Sequence, residues 1–174
     1  MSETVILVDD QDNQIGTMEK MEAHVKALRH RAFSVMVFNR NGEIMLQQRA
    51  LSKYHCGGLW TNTCCSHPRI GETNLAAAHR RLGEEMGFDC DLQELYSFNY
   101  EAKLDHGLTE KEHDHVFVGN FDDEPKINRE EVENWKWIKL NDLKKELTEK
   151  PEQYTFWFRE IMREYFRRNE TLSL

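Results

Sequence analysis

Cys65 and His67 stand two residues apart in Thr61-Asn62-Thr63-Cys64-Cys65-Ser66-His67-Pro68, just after the glycine pair Gly57 and Gly58. A thiol and an imidazole at this spacing admit three chemistries. They can be a nucleophile with its base, a pair of metal ligands, or an acid–base thiol beside a metal. Imidazoles are plentiful, with eight histidines in the chain. His24 and His30 flank an expected helix-to-strand junction, and with His67 they offer three ring nitrogens from separated loops. Glu110 and Glu112 lie two apart at the entry to an expected strand, where a period of two puts both carboxylates on one face. Three imidazoles and two carboxylates suit a borderline divalent ion such as Zn²⁺ or Mn²⁺. Lys20, Arg49, Lys53 and Arg81 form a scattered basic set able to offset a diphosphate through charge-assisted hydrogen bonds.

These side chains need a scaffold, and the hydrophobic pattern supplies one. Val5–Val8 reads as a short strand ending in the turn-like segment Asp9–Asn13, and Glu19–Lys26 reads as a helix. Phe33–Phe38 and Glu43–Arg49 are strands joined at Asn41-Gly42, a hairpin signal. Thr73 or Asn74 can cap a helix over Leu75–Met86, closed by Gly87. Its expected buried stripe is Leu75, His79, Leu82 and Met86, so His79 is taken as a core residue. Arg80, Arg81, Glu84 and Glu85 fall opposite that stripe or on its flanks. Tyr96–Lys103, His115–Phe121 and Trp135–Leu140 are expected strands. Asn141–Leu147 and Glu152–Arg168 are expected helices. Interspersed strands and helices with a hairpin predict an α+β chain, arranged as an α/β/α sandwich around a mixed sheet.

The bulk properties narrow the classes. The chain has 174 residues, 39% hydrophobic and 31% charged, which suits one domain spanning residues 1–174. A net charge of -8 argues against general electrostatic binding to nucleic acid or an acidic membrane. The first residues lack a basic segment and a long apolar run, so no signal peptide is expected. No apolar run reaches the roughly 18 residues of a membrane span. Cys56, Cys64, Cys65 and Cys90 are expected as free thiols in a cytoplasmic protein.

The helix segment is similar to the Nudix box: Glu72, Arg80, Leu82, Glu84, Glu85 and Gly87 fit its spacing. Ser66 stands in place of its opening glycine, and Arg81 in place of the glutamate that follows the arginine. Nudix hydrolases gather divalent cations on a diphosphate with that helix's carboxylates. An arginine there points to holding a diphosphate rather than cleaving it. Together with His30-Arg31-Ala32-Phe33-Ser34, Gln48-Arg49-Ala50-Leu51-Ser52-Lys53, Trp60–Pro68 and Glu110-Lys111-Glu112, the chain resembles the type 1 isopentenyl-diphosphate isomerases, metal-dependent enzymes on a Nudix fold. The likeness runs from about Val5 to Tyr165.

The resemblance implies that His24, His30, His67, Glu110 and Glu112 bind one divalent ion, Mn²⁺ or Zn²⁺. It implies Cys65, Glu112 and Tyr100 as catalytic groups, and Trp157 as the cover of the substrate's hydrocarbon end. Glu85 is implied to hold Mg²⁺ against the diphosphate, and Lys20, Arg49, Lys53 and Arg81 to clamp it. The implied substrate is a small prenyl diphosphate. The implied reaction interconverts isopentenyl and dimethylallyl diphosphates through a tertiary carbocation, with acid–base groups on opposite faces. The protein is expected as a monomer or weak homodimer, with no nucleic-acid or membrane partner. The alternative is a Nudix pyrophosphohydrolase acting on a nucleoside or prenyl diphosphate.

Overall fold

The computed structural model describes residues 2–53 and 55–172. Thr4–Val8 (β1) and Gln14–Glu19 (β2) pair as an antiparallel hairpin. The Glu19 carboxylate then accepts from the Glu22 backbone N–H and caps Lys20–Val25 (α1). His30–Phe38 (β3), Glu43–Arg49 (β4), Trp60–Thr61 (β5) and Cys64–Ser66 (β6) follow, then Asn74–Met86 (α2). Leu92–Lys103 (β7), Thr109–Asn120 (β8), Val132–Lys139 (β9), Leu140–Glu149 (α3) and Phe156–Leu172 (α4) complete the order. Among the described residues, no helix is long and apolar enough to cross a membrane.

β3 is the axis of the sheet. It runs parallel to β8 from His30↔Glu112 to Phe38↔Asn120, and its other edge takes β1, β6 and β4 antiparallel. β7 pairs antiparallel with β8, and β9 with β4. Side-chain alternation sorts two cores. Phe33, Val35, Val37, Met45 and Phe117 pack with Ala77, Ala78, Leu82 and Met86 of α2. The intervening Met36, Ile44, Leu46 and Val116 pack with Leu143 of α3 and Phe158, Ile161 and Met162 of α4. The result is the expected sandwich around a mixed sheet.

The local expectations hold with adjustments. Asn39 Oδ1 accepts from the N–H groups of Asn41 and Glu43, so the β3–β4 turn is organised by Asn39 as well as by Gly42 at φ 75°. Thr73 Oγ1 caps α2 by accepting from Ala76 N–H at 3.1 Å. Gly87 ends that helix at φ 69°, where a Cβ would meet the Lys126 carbonyl oxygen at 2.2 Å. The buried stripe of α2 is corrected. Leu75 is exposed, and His79 is half-buried with its Nδ1 2.6 Å from Asp89. The buried set is instead Ala77, Ala78, Leu82, Glu85 and Met86. Two alanines let the helix lie close to β3 and β6, and the stripe contains a hydrogen-bonded carboxylate that a hydrophobic count passes over.

β8 begins at Thr109 rather than His115, although its first residues are polar, because β7 pairs its backbone from Thr109 onward and β3 joins on the other side from Glu112. β2, β5 and β6 are short or polar and had no periodic signal. α4 begins at Phe156, not Glu152. Pro151–Gln153 form a separate 3₁₀ turn, and Thr155 N–H donates to the Trp60 carbonyl at 3.0 Å, tying the helix start to β5. Thr155 Oγ1 accepts from Phe158 N–H at 3.3 Å and lies 3.0 Å from Thr61 Oγ1. Because Thr155 is fully buried, Thr155→Ala is expected to destabilise the fold by about 1–2 kcal/mol. Urea unfolding should show this as a lower midpoint with an unchanged slope.

Candidate active site and metal centre

The residues singled out from the sequence arrive at one end of the sheet by simple geometry. Alternation along β8 turns Glu110, Glu112 and Asp114 to one face, with Tyr100 of β7 opposite Glu112 in the register. Alternation along β6 separates the adjacent thiols. Cys64 enters the core beneath α2, while Cys65, paired across from Ser34, faces the cleft. α1 sets Lys20 and His24 one turn apart. The cleft, of about 290 Å³, is lined by Lys20, His24, Arg49, Lys53, Cys65, His67, Arg81, Glu85, Tyr100, Glu110, Glu112 and Trp157. His30 does not line it. It is fully buried alongside, with ring centroids 5.2 Å from His24 and 5.1 Å from His67.

The histidines are held in one tautomer. His24 Nδ1 lies 2.7 Å from the Lys20 carbonyl oxygen, and His30 Nδ1 lies 3.1 Å from that of Leu28. A carbonyl oxygen only accepts, so Nδ1 carries the proton and Nε2 presents a lone pair. The buried Nε2 atoms of His24 and His30, and Oε2 of Glu110, have no hydrogen-bond partner. His67 places Nδ1 3.1 Å from Glu3 and Nε2 3.4 Å from Glu112 Oε2. Ligand atoms from His30, His67 and Glu112 lie within 4.8 Å of one another. Buried polar atoms without partners are rare, and a cation among His30, His67 and Glu112 would give such lone pairs a partner; His24 and Glu110 fall outside that close group. The donor set therefore fits a divalent metal ion.

Burial dominates the electrostatics. It lowers His24 and brings His30 down to about 4, so both rings are neutral at pH 7. Burial also opposes charge on His67, but hydrogen bonds to Glu112 and Glu3 outweigh it and raise that ring to about 9. Burial, with the Glu112 charge beside it, pushes Glu110 well above the usual carboxylate range. Glu112 also suffers burial, yet hydrogen bonds from Glu110 and His67 hold it well below that range. The pair thus keeps one proton and one charge. Tyr100 Oη lies 2.7 Å from Glu112 and 3.1 Å from Glu110, and burial with the two carboxylates keeps the phenol protonated. Burial pushes Cys65 up to about 12 despite nearby Arg49, leaving a thiol.

The other side of the cleft is cationic. Arg81 pairs with Glu84 at 2.7 Å and Glu85 at 2.6 Å, and Glu85 also accepts from Gln47 at 3.1 Å. Lys53 pairs with Glu131, and Lys20 lies 3.3 Å from Glu3. The Arg49 guanidinium sits 5.1 Å from the Trp157 ring centroid. Sequence reasoning missed Glu3, Ser34, His55, Asp114 and Glu131, all of which line the cleft. Asp114 was within reach of the period-two rule that selected Glu110 and Glu112, and its carboxylate accepts from Ser34 Oγ at 2.8 Å. Glu3 and Glu131 meet cations 17 and 78 residues distant, a separation that leaves no local trace.

The NUDIX domain family matches residues 28–158. Isopentenyl-diphosphate Delta-isomerase 2 of Photorhabdus laumondii is 53% identical over 162 residues, covering 93% of this chain and 92% of the relative. Isopentenyl-diphosphate Delta-isomerase of Serratia proteamaculans is 51% identical over 94% of this chain and 92% of its own length. The fold is similar to that of DR0079 from Deinococcus radiodurans, with a TM-score of 0.78 at 20% identity over 93% of this chain and 98% of the other. It also matches a MutT protein from Methanosarcina mazei, with a TM-score of 0.66 at 20% identity over 81% of this chain and 95% of the other. With thiol, carboxylates, imidazoles and arginines converging on one cleft in a chain half identical to these enzymes, the protein belongs to the isopentenyl-diphosphate Delta-isomerase family of the Nudix fold.

Proposed function

We propose that this chain interconverts isopentenyl and dimethylallyl diphosphates by moving protons between two faces of the five-carbon unit. The observation that carries the reading is the convergence of the Cys65 thiol and the hydrogen-bonded Glu112–Tyr100 pair on a single cleft with a cationic side. Double-bond transposition needs a proton delivered to one carbon and another removed from a neighbour. Two acid–base groups serve this better than a nucleophile. Cys65 is one and Glu112 with Tyr100 is the other, and their roles exchange with the direction of reaction. The Trp157 face covers the hydrocarbon end, where an indole stabilises developing positive charge. Bound substrate would displace water from the cleft, which keeps that charge from being trapped.

Lys20, Arg49, Lys53 and Arg81 bind and orient the diphosphate. The lysines and Arg81 exchange their carboxylate partners for phosphate oxygens. His24, His30, His67, Glu110 and Glu112 hold one Zn²⁺ or Mn²⁺, and Glu85 takes Mg²⁺ with the substrate diphosphate. Such an ion, when bound, lowers the pKa of the groups it touches. The protein works as a single cytoplasmic domain, a monomer or weak homodimer, on a small prenyl diphosphate and not on nucleic acid or membrane. Arg81 occupies a position where a Nudix hydrolase carries a glutamate, and this favours isomerisation over pyrophosphate cleavage.

Isopentenyl diphosphate incubated with the metal-loaded protein and Mg²⁺ should yield dimethylallyl diphosphate by NMR without phosphate release. Phosphate release without the isomer would instead establish a hydrolase. Cys65→Ala and Glu112→Gln should each lower kcat by roughly 10²–10⁴-fold, the range typical of a lost acid–base group. Arg81→Gln should act mainly on KM, raising it by about tenfold or more, as expected for a lost charge-assisted contact to phosphate. In the metal-free protein, His67 is raised from 6.5 to about 9. Its stabilising contribution is therefore complete below about pH 6.5 and lost as pH rises through about 9. Urea midpoints of chelator-treated protein should fall across that window, and His67→Gln should flatten the dependence.

A further inference from the structure

We propose a second metal site on the opposite face of β8, formed by Asp12, His113 and His115 and suited to Zn²⁺ or a similar borderline divalent ion. The alternation that turns Glu110, Glu112 and Asp114 into the cleft turns His113 and His115 the other way. There the β1–β2 turn roofs them and brings Asp12 into contact. Both histidines are about 9% exposed, and their ring centroids are 5.1 Å apart. One ligand atom from each of the three residues lies within 4.8 Å of the others.

The surrounding hydrogen bonds orient the set. Asn99 Nδ2 donates to the Asp10 carbonyl at 3.2 Å, which fixes the amide so that Oδ1 faces His113 Nδ1 at 2.7 Å. His115 Nδ1 contacts a Glu94 carboxylate oxygen in the same manner. Both Nδ1 atoms thus meet acceptors and carry protons, which leaves Nε2 of each ring as the free donor of a lone pair. His115 Nε2 nevertheless lies 2.8 Å from Asp12 Oδ2. A lone pair facing a carboxylate at that distance requires a positive species between or beside them, a proton or a metal ion. Arg31 occupies the other side of Asp12, with Nε 2.8 Å from Oδ1 and a terminal nitrogen 2.7 Å from the Asp12 carbonyl oxygen. This holds Oδ2 toward the imidazoles.

Two imidazole nitrogens and one carboxylate oxygen favour Zn²⁺, Co²⁺ or Ni²⁺ over the all-oxygen preference of Mg²⁺ and Ca²⁺. An ion there would fasten the β1–β2 turn to β8.

Full-length protein stripped with chelator and titrated with Zn²⁺ by calorimetry, and with Co²⁺ by visible absorption, tests it. His113→Gln/His115→Gln should bind one ion fewer than the unaltered chain. The ion it loses should persist in His30→Gln/His67→Gln. Equal stoichiometry in the unaltered chain and His113→Gln/His115→Gln would show that the positive species is a proton on His115, and would overturn the site. Asp12→Asn, a near-isosteric change in the β1–β2 turn, guards against misfolding of the double variant. It should weaken that ion by about tenfold or more, and unchanged affinity would equally overturn the proposal.

Discussion

The parallel pairing of β3 with β8 is the constraint on which the rest of the molecule depends. Its register sets His30 against Glu112 and Ser34 against Val116. Because side chains alternate, that one register decides which residues enter the cleft, which enter the core and which turn to the opposite face. A shift by one residue would send Glu110, Glu112 and Asp114 away from the imidazoles and expose the apolar alternates. Two separate apolar layers, under α2 and under α3 and α4, oppose such a slip, since each holds its own parity of β3, β4 and β8.

Around that strand pair the protein gathers charges that would be unfavourable if buried singly. Glu112 is buried yet ionised because His67, Glu110 and Tyr100 surround it. Arg81 is countered by Glu84 and Glu85, and Lys53 by Glu131. Leaving any partner unpaired would be costly in a low-dielectric site. The cleft is therefore a balanced array of paired carboxylates and cations. The balance includes residues such as Glu3 and Glu131 that belong to no recognisable motif.

A thiol beside a carboxylate pair can belong to several kinds of enzyme, and burial narrows the choice here. Cys65 is pushed toward the thiol, which disfavours a standing thiolate nucleophile and suits a group that holds and passes a proton. Its neighbour Cys64 is equally a cysteine but is sealed beneath α2. Two adjacent identical side chains thus acquire different chemistry solely from the pleat of a three-residue strand.

The sequence by itself determined the sandwich class, the β3–β4 hairpin, the capped helix α2 and the pairing of Glu110 with Glu112 on one face. Those features arise from local rules, namely periodicity, turn chemistry and caps, and each leaves its mark within a few residues. The motif likeness also named the side chains that meet in the cleft, because the spacing around Cys65 and along α2 is written in contiguous residues. Only the tertiary structure decided the outcome at Leu75 and His79, which local periodicity assigns to the core but the packing of Ala77 and Ala78 leaves partly outside. Only it revealed β6, too short for any periodic signal, and the start of β8, whose polar residues become strand because neighbours satisfy their backbone. Asp114, Glu3, Glu131 and the Asp12–His113–His115 cluster also waited on it. Their partners lie far away in the chain, and long-range contacts are fixed by register and burial, which no short window of sequence contains.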